Sequence, residues 1–247
     1  EHFSATADFL QLLAPLGVRV APLWLQLPAS FGPQRLAELL AWLDEFAERA
    51  IAVEVRHPAF FARGEEERLL NRQLQARGVE RICLDSRALF ACTSRDPAVL
   101  HAQAKKPRLP LRPTAFSTSP QLRFIGGPDL EANQVFLEPW LDKVASWIDE
   151  GRTPYVFLHT SDNRLAPQLA QRFHQQLMQR LPRAQVLQWL WLAEPVPVEQ
   201  LHAAGLVNWV TGSGQALSIL LPQGVLLLAQ LVEIVPAEDT AVVAVRK

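Results

Sequence analysis

The chain has 247 residues, 49% hydrophobic and 20% charged, which is the balance of a globular protein with a sizeable core rather than a disordered one. Lys+Arg 24 against Asp+Glu 25 leaves a net charge of -1, no electrostatic footprint for bulk nucleic acid or an anionic membrane. Two cysteines, Cys83 and Cys92, provide neither a disulfide framework nor a metal-ligand spacing.

The opening EHFSATADFLQLL has no basic stretch and no cleavage site, so a cytoplasmic, reducing location is expected. No initiator Met is present, and the chain reads as a fragment or a processed form. Phe9, Leu12, Leu13 and Leu16 give a short helical stripe closed by Gly17. APLWLQL, residues 21–27, is strand-like and stops at Pro28, and Leu36, Leu39, Leu40, Leu43 and Phe46 then follow helical spacing. A buried strand over 51–56 runs into the sharp turn at Pro58. A charged helix over 65–76 ends at Gly78, and RICLDSR, residues 81–87, is a third strand. Residues 93–119 hold four prolines with Lys105, Lys106, Arg108 and Arg112, a long irregular loop whose basic run is either a solvated face or an anion-binding lid. QLRFIGG leads from a fourth strand to a helix over 134–150, and PYVFLH supplies a fifth strand before a helix over 165–181.

Five strands alternating with helices mean parallel βα units. An open doubly wound sheet and a closed TIM-type (β/α)8 barrel compete. No glycine-rich phosphate loop follows any strand, which removes the usual mark of the open nucleotide-binding sheet. The barrel is favoured by what the strands carry inside. Period-two alternation with the apolar side chains against the helices leaves Gln26, Glu54, Arg56, Asp85, Arg123 and His159 inside, near the C-terminal ends of the strands. Functional groups of parallel barrels collect at that rim. Buried charges demand pairing or a ligand, so two readings stand. One is a structural ion network of Glu54 and Asp85 with Arg56 and Arg123. The other makes Glu54, Asp85 and His159 acid/base groups and the arginines an anion clamp. Alternation sends Glu54 and His57 to opposite faces, so no metal site is expected there, and His101, His174 and His202 read as surface or packing residues.

WLQLPASFGP, VEVRHPAFFARGEEE, RICLDSR, KKPRLP, LRFIGG and PYVFLHTSDNRLAPQLAQRFHQQL together resemble the YecE-like family, domain of unknown function seventy-two, over residues 9–181. That resemblance implies a TIM-type barrel and signature positions at Glu54, Arg56, His57, Pro58, Asp85, Ser86, Arg87, Arg123, Phe124, His159, Asp162 and Asn163. It also implies three further strands ahead of Glu1, so an incomplete barrel of about five βα units is expected over 1–192. Residues 193–247 form an unassigned tail whose apolar run, 216–235, is interrupted by Pro222, Gly224, Gln230 and Glu233. A β-hairpin at 222–224 is favoured there over a membrane span.

The functional expectation is an enzyme handling a small anionic or sugar-like ligand. Glu54, Asp85 and His159 are its acid/base candidates, and Gln26, Arg56, His57, Arg87, Arg123, Asp162 and Asn163 its ligand-binding ones. The alternative is a non-catalytic module binding nucleic acid through the basic loop 104–112. Neither reading implies a particular cofactor, metal or oligomeric state.

Overall fold

A computed structural model describes residues 2–181 and 241–244 of the chain. Strands form where the apolar alternation places them. β1 (Leu23–Gln26) pairs in parallel with β2 (Ile51–Glu54), and β2 with β3 (Glu80–Arg81). The chain continues past Ile82 as β4 (Cys83–Asp85), which pairs in parallel with β5 (Gln121–Ile125), and β5 with β6 (Tyr155–His159). The run from Glu80 to Asp85 thus serves two sheets. The hydrogen bond from Ile82 N to Val53 O, 3.0 Å, carries pairing with β2 one residue past β3.

Helices follow most strands. They are α1 (His2–Leu13), α2 (Leu36–Glu45), α3 (Glu65–Ala76), α4 (Arg87–Ala91), α5 (Pro97–Lys105), α6 (Leu130–Asp149) and α7 (Ala166–Met178). Their ends obey local chemistry. Asp129 accepts from Glu131 N and Ala132 N to cap α6, and Asp96 accepts from Ala98 N ahead of Pro97 to cap α5. Gly78, at φ 63°, closes α3 in the left-handed conformation that glycine takes at no steric cost. The long irregular loop expected over 93–119 is therefore partly helical, because Asp96–Pro97 is a helix start.

The expected (β/α)8 barrel is not what forms. With β7 (Ala241–Ala244), the strand orders are β1-β2-β3 and β4-β5-β6-β7, two separate sheets, each with three parallel strands. β7 runs antiparallel to β6, where a barrel would place another parallel strand. The ring is broken at Ile82 and does not close, and strand count alone could not have shown this. Side chains of the two sheets still meet on one face, here the concave one, where Trp24 of β1 and Phe157 of β6 have ring centroids 4.7 Å apart. The hairpin expected at 222–224, and His202, lie outside the described residues. Among the described residues no helix is long and apolar enough to cross a membrane.

The opposite, convex face carries the main core. Leu122, Phe124, Val156 and Leu158 pack there with Leu137, Trp140, Leu141, Leu169 and Phe173 of α6 and α7. A second cluster joins Val53 and Val55 to Leu39, Leu43, Leu70 and Leu74 of α2 and α3. The first helix departs from expectation, since Phe9, Leu12 and Leu16 are exposed.

Candidate functional site

Alternation brings β1, β2, β5 and β6 to the concave face as expected, and a charged cluster assembles there. Glu54 is fully buried at the end of β2. Its Oε1 accepts from Arg56 Nε at 2.7 Å, and its Oε2 from Arg123 Nη1 at 3.1 Å. Gln26 Oε1 takes a second bond from each arginine, Arg56 Nη2 at 2.6 Å and Arg123 Nη1 at 3.0 Å. The Arg123 guanidinium also lies over the Trp24 ring, 5.1 Å from its centroid, in cation–π contact. A cleft of about 410 Å³ opens beside this group, lined by Trp24, Gln26, Arg123, Phe157 and His159. That is within the size range of small-molecule sites.

Three polar atoms at the cleft have no hydrogen-bond partner among the described residues: Trp24 Nε1, Arg123 Nε and His159 Nε2. Buried polar groups are ordinarily satisfied, which sets these three atoms apart from the paired groups around them. His159 meets Asn163 Oδ1 through Nδ1 at 3.3 Å. A carbonyl oxygen only accepts, so Nδ1 carries the proton and Nε2 presents its lone pair. Asn163 reaches this position with φ 61°, a left-handed conformation that asparagine tolerates better than most residues. Burial, then the Arg123 guanidinium and the Lys106 ammonium, pull the His159 pKa down to about 4 against the Asn163 hydrogen bond. The imidazole is therefore neutral at pH 7.

Lys106, in the segment after α5, is not among the residues lining the cleft. Burial, then Arg123 and Arg56, hold its ammonium below the usual lysine range, against the pull of Glu54. Ser86 Oγ donates to Pro107 O at 2.8 Å and ties that segment to the end of β4. The rest of the basic run disperses. Arg112 pairs with Glu67 at 2.6 Å and Arg108 lies over Phe90, while Lys105 is exposed. The run therefore offers no continuous basic strip.

Asp85 is a correction. Cys83 and Asp85 share a face with Leu122 and Phe124, toward α6, whereas Leu84 shares one with Arg123. The Asp85 carboxylate accepts from Trp140 Nε1 at 2.8 Å and from Arg87 Nε and Nη2 at 2.9 and 2.8 Å. The physical reason is that α4 and α5 lay Leu89 and Ala102 against Leu84 and Ile125, making the inner side of β4 apolar. Assigning apolar residues to the helix layer inverts this strand. Arg87 goes with Asp85, beside a smaller cleft of about 230 Å³. Cys83 becomes a buried thiol, raised by burial to about 12 and inert.

Two further expected ligands serve the backbone. His57 Nδ1 accepts from Ala59 N at 3.2 Å, capping the short turn Pro58–Phe61. Asp162 accepts from Arg164 N at 3.1 Å. The RFIGG glycines are structural too: a Cβ on Gly126 would stand 2.7 Å from Asn133 Oδ1, and Asn133 clasps Gly127 N and O. Sequence reasoning missed a buried network, Arg81 with Glu67, Asn71 and Phe60 O, behind β3. Its only sequence signal was an arginine in a buried strand beside a helix holding Glu67. Among the described residues no group of His, Cys, Asp and Glu is arranged to hold a metal ion.

The model of the family described as "Protein of unknown function DUF72" matches residues 1–190. The chain belongs to the DUF72 family. UPF0759 protein YecE of Escherichia coli strain K12 is 45% identical over 176 residues, covering 71% of this chain and 64% of that one. The corresponding protein of strain O157:H7 is 44% identical over the same length. This chain thus spans 64% of the length of the curated relatives it matches. A crystal structure of a DUF72 family protein from Thermotoga maritima MSB8 aligns with TM-score 0.47 at 20% identity, covering 69% of this chain and 64% of that one. The DUF72 description states no activity, so chemistry has to be argued from the cluster.

Proposed function

We propose that this DUF72 chain carries a binding site for a small anionic or sugar-like ligand in the concave cleft, with His159 as its proton-transfer group. The observation that carries this reading is the coincidence of the cleft with Trp24 Nε1, Arg123 Nε and His159 Nε2, three buried polar atoms without partners among the described residues. Arg123 and Arg56 act as the clamp, since guanidinium groups bind planar oxyanions through paired N–H donors. Neutral His159, held by Asn163, is poised to accept a proton at Nε2 as a general base. Glu54 orients both arginines rather than transferring protons, because both its oxygens are committed to them. Asp85 takes no part in this reading.

A thermal-shift screen of the 247-residue chain against sugar phosphates, carboxylates and neutral sugars tests it. A ligand at 100 times its dissociation constant should stabilise the fold by about 2.7 kcal/mol. Arg123→Ala should abolish the response. Silence across the library, or a response that survives Arg123→Ala, overturns the reading.

A further inference from the structure

The three unpartnered atoms at the cleft differ in sense, and the difference narrows the ligand. Trp24 Nε1 and Arg123 Nε can only donate a hydrogen bond. His159 Nε2 can only accept one, because Nδ1 faces Asn163 Oδ1 and carries the proton. Arg123 and His159 are 8% and 7% exposed, so little water reaches either group.

The sheet register fixes how these groups are spaced. Arg123 of β5 stands opposite Phe157 of β6, and His159 follows two residues further along the same face. One strand across at about 4.8 Å and two residues along at about 3.3 Å each put the attachment points of Arg123 and His159 about 8 Å apart. Phe157 lies between them as an apolar step, with Trp24 against it.

Charge supplies a second constraint. Arg56 and Arg123 share one carboxylate, Glu54, which leaves a single positive charge, and none of the described residues lining the cleft is acidic. A plain carboxylate or an inorganic anion meets that charge and both donors, but offers His159 Nε2 no hydrogen. A neutral sugar offers hydroxyls and leaves the charge unmet. A molecule with one carboxylate and several hydroxyls meets the charge, the donors and the acceptor together.

We propose that the cleft takes a polyhydroxy monocarboxylate, of the sugar-acid class, with its carboxylate toward Arg123 and Trp24 and a hydroxyl donating to His159 Nε2. This rests on the anion-site reading given above and makes it narrower. The carbon chain of the ligand crosses Phe157, whose ring receives its C–H groups. No bond is made or broken in the proposed event, which is binding alone.

Titration calorimetry on the 247-residue chain, at about pH 7.5 and constant ionic strength, tests this with gluconate, hexanoate, glucose and sulfate. Gluconate and hexanoate share one charge and one chain length, so their difference reads the hydroxyls. Gluconate should bind about tenfold more tightly than hexanoate, the size expected when a buried acceptor gains its donor. Glucose lacks the charge and sulfate the hydroxyl, and each should bind about tenfold or more weakly than gluconate. His159→Phe should bring gluconate to the level of hexanoate, and Arg123→Ala should abolish binding of both. The ligand series on the unaltered chain decides the matter even where a variant fails to fold. Equal binding of gluconate and hexanoate, both lost in Arg123→Ala, would overturn the sugar-acid proposal and leave the anion site standing. Glucose or sulfate binding as tightly as gluconate would overturn it as well. No binding of any probe would overturn both readings. Gluconate binding that survives both Arg123→Ala and His159→Phe would place the ligand elsewhere and overturn the proposal.

Discussion

The two faces of the sheets use the same residue types to opposite ends. On the convex side, Asp85 is engaged by Arg87 and Trp140, and Glu67 by Arg81, Arg112 and Arg63 N. On the concave side, Glu54 holds two arginines, yet donors remain unpartnered among the described residues and positive charge is in excess. Carboxylate and guanidinium by themselves therefore say little about function. On the proposed reading, saturation of the hydrogen bonds separates a structural network from a binding site. Burial alone would not, since Arg81 and Glu54 are both almost wholly enclosed.

The largest test of this contrast is a pair of deletions. Glu67→Ala leaves Arg81, which burial already pulls down to about 10, without its carboxylate, and should cost about 3–5 kcal/mol. Glu54→Ala should cost about as much in dilute buffer. Sulfate should restore part of the second loss and none of the first, as read by denaturant melts with and without the salt. Equal response of both variants to sulfate would remove the distinction.

Asp85→Ala leaves the buried Trp140 N–H without an acceptor and should cost about 1–3 kcal/mol. It should leave anion affinity unchanged, because Asp85 lies on the other face.

The pH dependence sharpens the concave half. The folded-state pKa of His159, about 4, lies below its unfolded value near 6.5, so between these limits the unfolded chain binds more protons. The stability this histidine contributes is thus present in full above pH 6.5 and is lost as pH falls toward 4. Comparing the wild type with His159→Gln should show the wild type losing about 2 kcal/mol more from pH 6.5 to 5. His174, also lowered by burial, acts in the same direction in both proteins and cancels. Parallel stability curves would refute the buried, neutral imidazole.

The smallest effect belongs to Ser86→Ala. Losing its bond to Pro107 O should cost about 1 kcal/mol and loosen the Lys106 segment. Anion affinity should fall slightly, measured by the same calorimetric titration.

Much of this was legible in the sequence. Four of the five expected strands recur as β1, β2, β5 and β6, each a short apolar run bounded by proline, glycine or a charged turn, while the third, over 81–87, divides into β3 and β4. Gln26, Glu54, Arg56, Arg123 and His159 converge for the same reason, since each follows the inward period of its strand. Asp85 was not legible, because the α4–α5 insertion makes the inner side of β4 apolar and only packing reveals that. The break between the two sheets, which overturned the expected barrel, was not legible either. Strand count and period do not specify a change of pairing partner at Ile82. Lys106 stood in a basic run whose members look alike in sequence and part company only when Glu67 and Phe90 claim Arg112 and Arg108.

Two indole N–H groups give the most direct measurement. Trp24 Nε1 belongs to the unsaturated cluster and Trp140 Nε1 to the saturated one. Their signals in a nitrogen–proton correlation spectrum, assigned with Trp24→Phe and Trp140→Phe, can be followed while sulfate is added. The account predicts that the Trp24 signal moves saturably while the Trp140 signal stays in place. A stationary Trp24, or a Trp140 that moves with it, would contradict the claim that the concave cluster is the site and the convex one its scaffold.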